Sequence, residues 1–294
     1  MFSLFFYYFC EIIDKLFKHY HTMKKLALFL LAAALVALPS CKNQNKQAAE
    51  QPKQELSQQD KYLVEELQAN LESLAESAKQ LKPMPAAKIV DGSVKLSTQE
   101  KLVKPDYLLD PACANDLVTL SQKYRAIGML YSDRTIAELY EMSITDYKAA
   151  LSKLVTEVND PAFQSVDLTK FKNKELPFDQ MVSTVYDKEV EAGRLPYFWD
   201  LTAAAFVEQL YFATRNIDKF LTMFDDETAS NITYNFILVH ENVSRLVKYY
   251  PEMASLNEIL EPLYVINAIN KKQLRDQLFE LKGSIETVRA SLLK

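Results

Sequence analysis

The chain has 294 residues, with 34 lysines and arginines against 39 aspartates and glutamates, which gives a net charge of −5. This acidic balance argues against nucleic acid and against an anionic membrane surface as binding partners. The 4 glycines are widely spaced along the sequence. Loops that cradle phosphates need closely spaced glycines, so the composition excludes P-loop and dinucleotide-binding motifs.

The stretch from Met1 to Thr22 does not match a targeting signal. It is rich in phenylalanine and tyrosine, and it contains Glu11 and Asp14. We interpret residues 1–22 as an over-extended N-terminus, with the true start at Met23. The alternative is a membrane segment from Phe2 to Ile13, but that segment is short and contains an acid.

Residues 23–40 have the three parts of a secretory signal peptide. Lys24 and Lys25 form a positive n-region, an apolar run extends from Leu26 to Ala37, and the small residue Ser40 precedes a cysteine. At ~1.5 Å per residue, a helix of this apolar run is about 18 Å long, whereas the hydrocarbon core of a bilayer is ~30 Å thick. We therefore predict an export signal and not a permanent membrane span.

The residues Leu38-Pro39-Ser40-Cys41 resemble the lipobox of bacterial lipoproteins. Pro39 departs from the pattern, in which a small residue is commoner. The resemblance implies a diacylglycerol on the Cys41 sulfur, cleavage before Cys41 and acylation of the new amine, so that the membrane is a partner through this lipid. The alternative is an ordinary secretory signal with an incidental cysteine.

Residues 41–59 consist mostly of glutamine, asparagine, lysine, alanine and glutamate. Such a segment has almost no apolar surface to bury, so we predict a disordered, flexible tether. In lipoproteins of Gram-negative bacteria, the residue after the lipidated cysteine influences sorting, and aspartate there favours the inner membrane. By that resemblance, Lys42 implies the outer membrane. The residues after it, Asn-Gln-Asn-Lys, lack the acidic run that some surface-exposed lipoproteins carry, so we expect the periplasmic face.

Between residues 60 and 294 the apolar residues recur with helical period, which predicts an all-α domain of about eight helices, as a multi-helix bundle or an irregular helical array. The clearest stripe runs through Leu274, Leu278, Leu281, Ile285, Val288 and Leu292. Further stripes begin at Leu63, Leu117, Tyr147, Ile232 and Leu256. Only the segment around Lys88 to Leu96 suggests a strand.

Local signals mark where helices begin. Asp110-Pro111 and Asp160-Pro161 are typical of an N-cap followed by proline at the first helical position, and Asp225-Asp226 indicates another helix start. The segment Ala203 to Ala213 is apolar nearly all round, which predicts a central helix covered by its neighbours. An irregular stretch at 160–175 leaves open two sub-bundles, 60–160 and 175–294.

The sequence contains no recognisable catalytic or metal-binding motif. After the leader the chain keeps one cysteine, Cys113, and one histidine, His240, so neither an internal disulfide nor a histidine-rich metal site can form within one chain. A Gly-x-Ser-x-Gly nucleophile elbow is absent. We therefore predict a non-enzyme without cofactor or metal, in which Cys113 is a small buried residue and His240 is partly buried.

One group of residues is a candidate ligand-binding site: Trp199, Glu208, Tyr211 and Arg215. The last three share roughly one helix face because they are three and four residues apart. Aromatic rings beside an acid and an arginine would line a pocket for a sugar or another planar ligand. The alternative is that the aromatics belong to the core and that Glu208 and Arg215 satisfy each other or reach the surface.

Two functions from different classes remain open. The first is a membrane-anchored envelope lipoprotein whose helical domain is a non-enzymatic interaction or structural module for an envelope protein or cell-wall partner. The second is a periplasmic lipoprotein that binds a small ligand or glycan near Trp199 and Tyr211. We favour the first, because it needs only the anchor, the tether and a helical surface.

Overall fold

The computed structural model describes residues 58–90, 92–165, 178–215 and 217–294. In chain order the α-helices are α1 (Gln58–Lys79), α2 (Pro85–Val90), α3 (Thr98–Lys101), α4 (Leu120–Leu139), α5 (Thr145–Val158), α6 (Pro161–Ser165), α7 (Phe178–Glu191), α8 (Leu195–Arg215), α9 (Ile217–Met223), α10 (Asp226–Leu246), α11 (Met253–Leu260) and α12 (Lys271–Ser291). Short 3₁₀ turns lie at Pro111–Asn115 and Glu261–Leu263.

The all-α prediction is confirmed, since no residue in these ranges lies in a strand. Nine of the described helices have seven residues or more, one more than the number predicted. None of them combines the length and the apolarity that a membrane-spanning helix requires. The predicted signal peptide, Cys41 and the tether up to residue 57 lie outside the described residues.

The described residues fall into two units, one that ends at Ala75 and one that runs from Glu76 to Lys294. The described part of the first unit belongs to α1, where the Asn70 side chain donates to the Glu66 carbonyl at 2.8 Å. All the remaining described residues belong to the second unit, which contains the candidate site.

The centre of the second unit is the contact between α4 and α8, the most extensive helix pair of the fold. Helix α8 buries 16 of its 21 residues, so the predicted central helix is confirmed. The backbones approach closely at Gly128, where a Cβ atom would lie 2.3 Å from the Leu201 carbonyl oxygen. Helix α5 packs on α4, and α12 packs on α8. Helices from the two predicted sub-bundles therefore pack directly together.

The local predictions near helix starts are also confirmed. Asp110 accepts a hydrogen bond from the Ala112 amide at 2.9 Å, and Asp225 accepts one from the Thr228 amide at 2.8 Å. The strand suggested around Lys88 is wrong, because Lys88 belongs to α2. Its side chain reaches Asp225 instead, at 3.2 Å.

Helix α12 buries the predicted apolar stripe. Leu274, Leu278, Ile285 and Val288 are buried. Leu281 is only partly buried, so this position contributes less to packing than its place in the stripe predicts.

Candidate functional site

Trp199 lies apart from the other three predicted site residues. Its side chain is 0% exposed, and its ring packs edge-on against Phe198 with centroids 5.1 Å apart. Nine residues separate it from Glu208 on α8, which places the two about 13 Å apart along the helix axis. Trp199 is therefore a core residue, and the described residues leave its indole N–H without a hydrogen-bond acceptor.

Glu208 belongs to a buried ionic cluster with Asp133 and Arg289. Arg289 donates from Nε to both Glu208 oxygens at 2.8 and 2.9 Å, and its Nη2 lies 2.7 Å from the same carboxylate. Asp133 accepts the Leu109 amide at 2.6 Å and lies 3.8 Å from Arg289. Asp133 and Glu208 are each 1% exposed. Three helices, α4, α8 and α12, each supply one member of the cluster.

The charges of this cluster balance only when one carboxyl is protonated. Burial raises the pKa of Asp133 well above its ordinary value, and the neighbouring Glu208 charge adds to that effect. Burial also raises the pKa of Glu208, but hydrogen bonds from Arg289 oppose it. A side-chain hydrogen bond joins the two carboxyls. Arg289 is therefore the counter-ion of Glu208 and favours its ionised form, whereas burial and the Glu208 charge favour the protonated form of Asp133.

Tyr211 and Arg215 lie at the solvent side of this cluster. The Arg289 guanidinium lies 4.1 Å from the centre of the Tyr211 ring, and the Arg215 guanidinium lies 5.4 Å from it. Arg215 also covers the Tyr107 ring at 5.2 Å. Its Nη1 contacts Tyr211 Oη and Glu286 at 3.4 Å each. These cation–π contacts leave less ring surface for a sugar to stack on.

The structure therefore unites Glu208, Tyr211 and Arg215, as their spacing predicted. It pairs Glu208 with Arg289 and not with Arg215. Of the two arms of the predicted alternative, Glu208 and Arg215 do not satisfy each other, but Arg215 does reach the surface. No local pattern points to Arg289, because it lies 81 residues from Glu208 along the chain. The one sequence signal for Asp133 is its place in the polar run Ser132 to Thr135, which interrupts the apolar middle of this helix.

A second buried carboxyl pair, Asp160 and Glu189, lies near the start of α8. Asp160 is 3% exposed and Glu189 is 1% exposed. Arg194 donates from Nη1 to Asp160 Oδ2 at 3.1 Å, to Tyr124 Oη at 3.2 Å and to the Val158 carbonyl at 2.9 Å. The Tyr124 hydroxyl also donates to Asp160. The other Asp160 oxygen caps α6 through the Ala162 amide at 2.8 Å, as the Asp-Pro motif predicted.

A glycine turn positions Arg194 for these contacts. Gly193 has φ of 69°, a left-handed conformation that glycine adopts at helix C-termini without steric cost. The Gly193 amide donates to the Val190 carbonyl at 3.1 Å, and the Arg194 amide donates to the Glu189 carbonyl at 2.7 Å. The turn ends α7 and holds Arg194 beside the carboxyl pair.

Glu189 is the neutral acid of the second pair. Burial raises its pKa to about 9, and both the charge of Asp160 and a hydrogen bond with it contribute. One of its oxygens, Oε2, has no hydrogen-bond partner among the described residues. A buried polar atom without a partner is rare in folded proteins.

This neutral acid makes the stability of the fold depend on pH. The ordinary pKa of Glu189 is 4.5, against about 9 in the folded chain. Between these values the folded state binds more protons, so the free energy of unfolding falls as pH rises. Glu189→Gln, which imitates the protonated acid, is expected to raise that free energy by about 1–3 kcal/mol at alkaline pH. Urea unfolding of both proteins at acidic and alkaline pH, with EDTA present to remove metal ions, measures the effect. If Glu189→Gln has the same pH dependence of stability as the unchanged protein, the prediction is contradicted.

Cys113 and His240 have different surroundings in the structure. Burial raises the pKa of the half-buried Cys113 thiol to about 11, which disfavours the reactive thiolate. His240 is exposed and not partly buried as predicted, and its ring stacks on Tyr264 at 3.7 Å. No group of three or more His, Cys, Asp or Glu side chains in the described ranges is arranged to hold a metal ion.

Comparison of the chain with protein-family models, with curated proteins and with solved structures finds no match.

Proposed function

We propose that the protein is a lipid-anchored lipoprotein of the bacterial cell envelope, and that its helical domain is a non-enzymatic interaction module. The observation that carries this proposal is the sequence from Met23 to Cys41, in which an export signal leads into lipobox-like residues that end in a cysteine. Two acyl chains suffice for stable anchoring in a bilayer. Lys42 supports an outer-membrane location facing the periplasm.

An exposed apolar strip supports the interaction role. The loop after the second 3₁₀ turn runs along α10, since Ser230 Oγ donates to the Ile269 carbonyl at 3.0 Å and His240 stacks on Tyr264. The strip consists of Ile237, Val265 and Ile269, whose exposed fractions are 45%, 59% and 70%. Exposed apolar side chains that lose contact with water stabilise a protein complex. We propose that an envelope protein binds this strip.

The alternative of a small-ligand or glycan site has less support. A sugar stacks on an open aromatic face, but the guanidinium groups of Arg215 and Arg289 lie against the Tyr211 ring. Trp199, the other aromatic anchor of that hypothesis, is 0% exposed. Both residues are already engaged in packing, so the interaction module remains our proposal.

The anchor is tested by changing its cysteine. The mature protein is expected to begin at Cys41 and to carry fatty acids, because the lipobox directs lipidation and then cleavage. Cys41→Ala is expected to leave an uncleaved or misprocessed precursor, whereas the control Cys113→Ala is processed normally. Mass spectrometry of the N-terminal peptide measures both. A mature protein that begins at Met1 would contradict the anchor.

The interaction role is tested by affinity capture of the lipidated protein from cells, with mass spectrometry of the captured proteins. Ile269→Asp is expected to lose a partner that the unchanged protein retains, because a charge replaces an apolar contact. The matched control is Val118→Asp, since Val118 is 83% exposed but lies outside the strip. Equal capture by both variants would refute the role of the strip.

A further inference from the structure

The guanidinium of Arg194 occupies a cage of oxygen atoms. Its Nη1 lies 3.2 Å from Tyr124 Oη, 2.9 Å from the Val158 carbonyl oxygen and 3.1 Å from Asp160 Oδ2. The cage contains a phenol, a main-chain carbonyl and a carboxylate, which are donors suited to a hard cation. Three separate parts of the chain meet at this point: α4, the junction of α5 and α6, and the turn that follows α7.

Glu189 adds a fourth oxygen donor that the fold leaves unused. Its carboxyl is hydrogen-bonded to Asp160, yet Oε2 has no partner among the described residues although Glu189 is only 1% exposed. Arg194 supplies the cage with one positive charge, whereas two ionised carboxylates would need two.

We propose that Tyr124, Val158, Asp160 and Glu189 form a Ca²⁺ site, in which the ion replaces the Arg194 guanidinium. Ca²⁺ carries the two positive charges that two ionised carboxylates need, whereas the guanidinium carries one. Arg194 has a route out, since its side chain is 28% exposed. Water entering by the same route completes the six to eight oxygen ligands that Ca²⁺ takes.

The cage favours Ca²⁺ over Mg²⁺. Its oxygens lie 2.9 to 3.2 Å from the central nitrogen. The oxygens must move inward to reach an ion, and they move less for the ~2.3–2.6 Å distances of Ca²⁺ coordination than for the ~2.0–2.1 Å distances of Mg²⁺. The site has only two carboxylates and a competing guanidinium, so we expect a dissociation constant on the order of 10⁻⁴ to 10⁻³ M, the range of extracellular Ca²⁺ modules.

Calorimetric titration of the full chain with Ca²⁺, and separately with Mg²⁺, tests the site. The expected result is one Ca²⁺ per chain and at least tenfold weaker Mg²⁺ binding. Glu189→Gln keeps the hydrogen bond to Asp160 but cannot supply the negative charge, so it is expected to weaken Ca²⁺ binding at least tenfold. Arg194→Ala removes the competing cation and is expected to strengthen Ca²⁺ binding about tenfold.

The matched control is Glu208→Gln, the same change in the other carboxyl pair, which is expected to leave Ca²⁺ affinity unchanged. If Arg194→Ala does not fold, the unchanged protein and Glu189→Gln decide the question. Two results would overturn the proposal: no Ca²⁺ binding by the unchanged protein, or equal affinity in Glu189→Gln. Either would mean that a buried water, and not an ion, is the partner of Glu189 Oε2.

Discussion

Replacement of Gly128 by alanine is expected to destabilise the domain by at least about 3 kcal/mol, beyond the usual cost of overpacking a core. The new Cβ would lie 2.3 Å from the Leu201 carbonyl oxygen and 3.1 Å from the Ala205 amide nitrogen. Both are backbone atoms of α8, so neither can rotate away, and α4 and α8 must separate. The midpoint of urea unfolding, followed by far-UV circular dichroism, measures the loss.

Gly283 provides the matched control, because it also lies inside a helix but a Cβ there would meet nothing within 4 Å. Gly283→Ala is expected to stabilise the domain by about 0.5–1 kcal/mol through helix propensity. Similar effects of the two substitutions would show that α4 and α8 do not touch at Gly128.

Arg289→Met is expected to lower the free energy of unfolding by about 3–5 kcal/mol at neutral pH, the cost of leaving a buried charge without its partner. Asp133 and Glu208 would then share their site without a cation. Methionine keeps part of the apolar contact with Tyr211, so the loss reports mainly on charge. Chemical unfolding at neutral and acidic pH measures it.

The pH dependence of this loss follows from Glu208. Without Arg289 the pKa of Glu208 in the folded state rises further, because burial already raises it and Arg289 is what opposes the rise. The penalty is therefore present above the ordinary pKa of 4.5 and shrinks at lower pH, where both states bind the proton. A loss that is equal at all pH values would contradict the ionic role of Arg289.

A second arginine on α12 serves as the control. Arg275 pairs with Asp218 at 2.8 Å, but the two side chains are 45% and 72% exposed. Water screens such a pair, so Arg275→Met is expected to change the free energy of unfolding far less than Arg289→Met does. Both variants replace an arginine of α12 by methionine. A difference between their losses of stability therefore reports on the burial of the ion pair. A large loss in Arg275→Met would mean that α12 is sensitive to any arginine change.

The two carboxyl pairs give the helical core a chemistry that its apolar composition does not suggest. Each pair has one arginine and two buried carboxyls, but only the Glu189 pair leaves a buried oxygen without a described partner. In the other pair, Arg289 donates hydrogen bonds to both carboxylate oxygens of Glu208. The proposed Ca²⁺ site therefore lies at Glu189, and Glu208→Gln is its control.

The sequence determined those features that depend on near neighbours. Apolar spacing predicted the stripe of α12, and the capping residues Asp110, Asp160 and Asp225 were predicted because each bonds an amide two or three residues later. The apolar composition of Ala203 to Ala213 indicated a central helix. These signals are readable because the interacting groups lie within one helical turn of each other.

Only the tertiary structure decided which polar groups meet. Glu208 and Arg215 share a helix face, yet Glu208 binds Arg289 from α12, which approaches from the buried side. Asp160 and Arg194 meet although 34 residues separate them. A helix specifies which side chains share a face, but the partner on that face depends on how distant helices pack, and no local spacing encodes that choice.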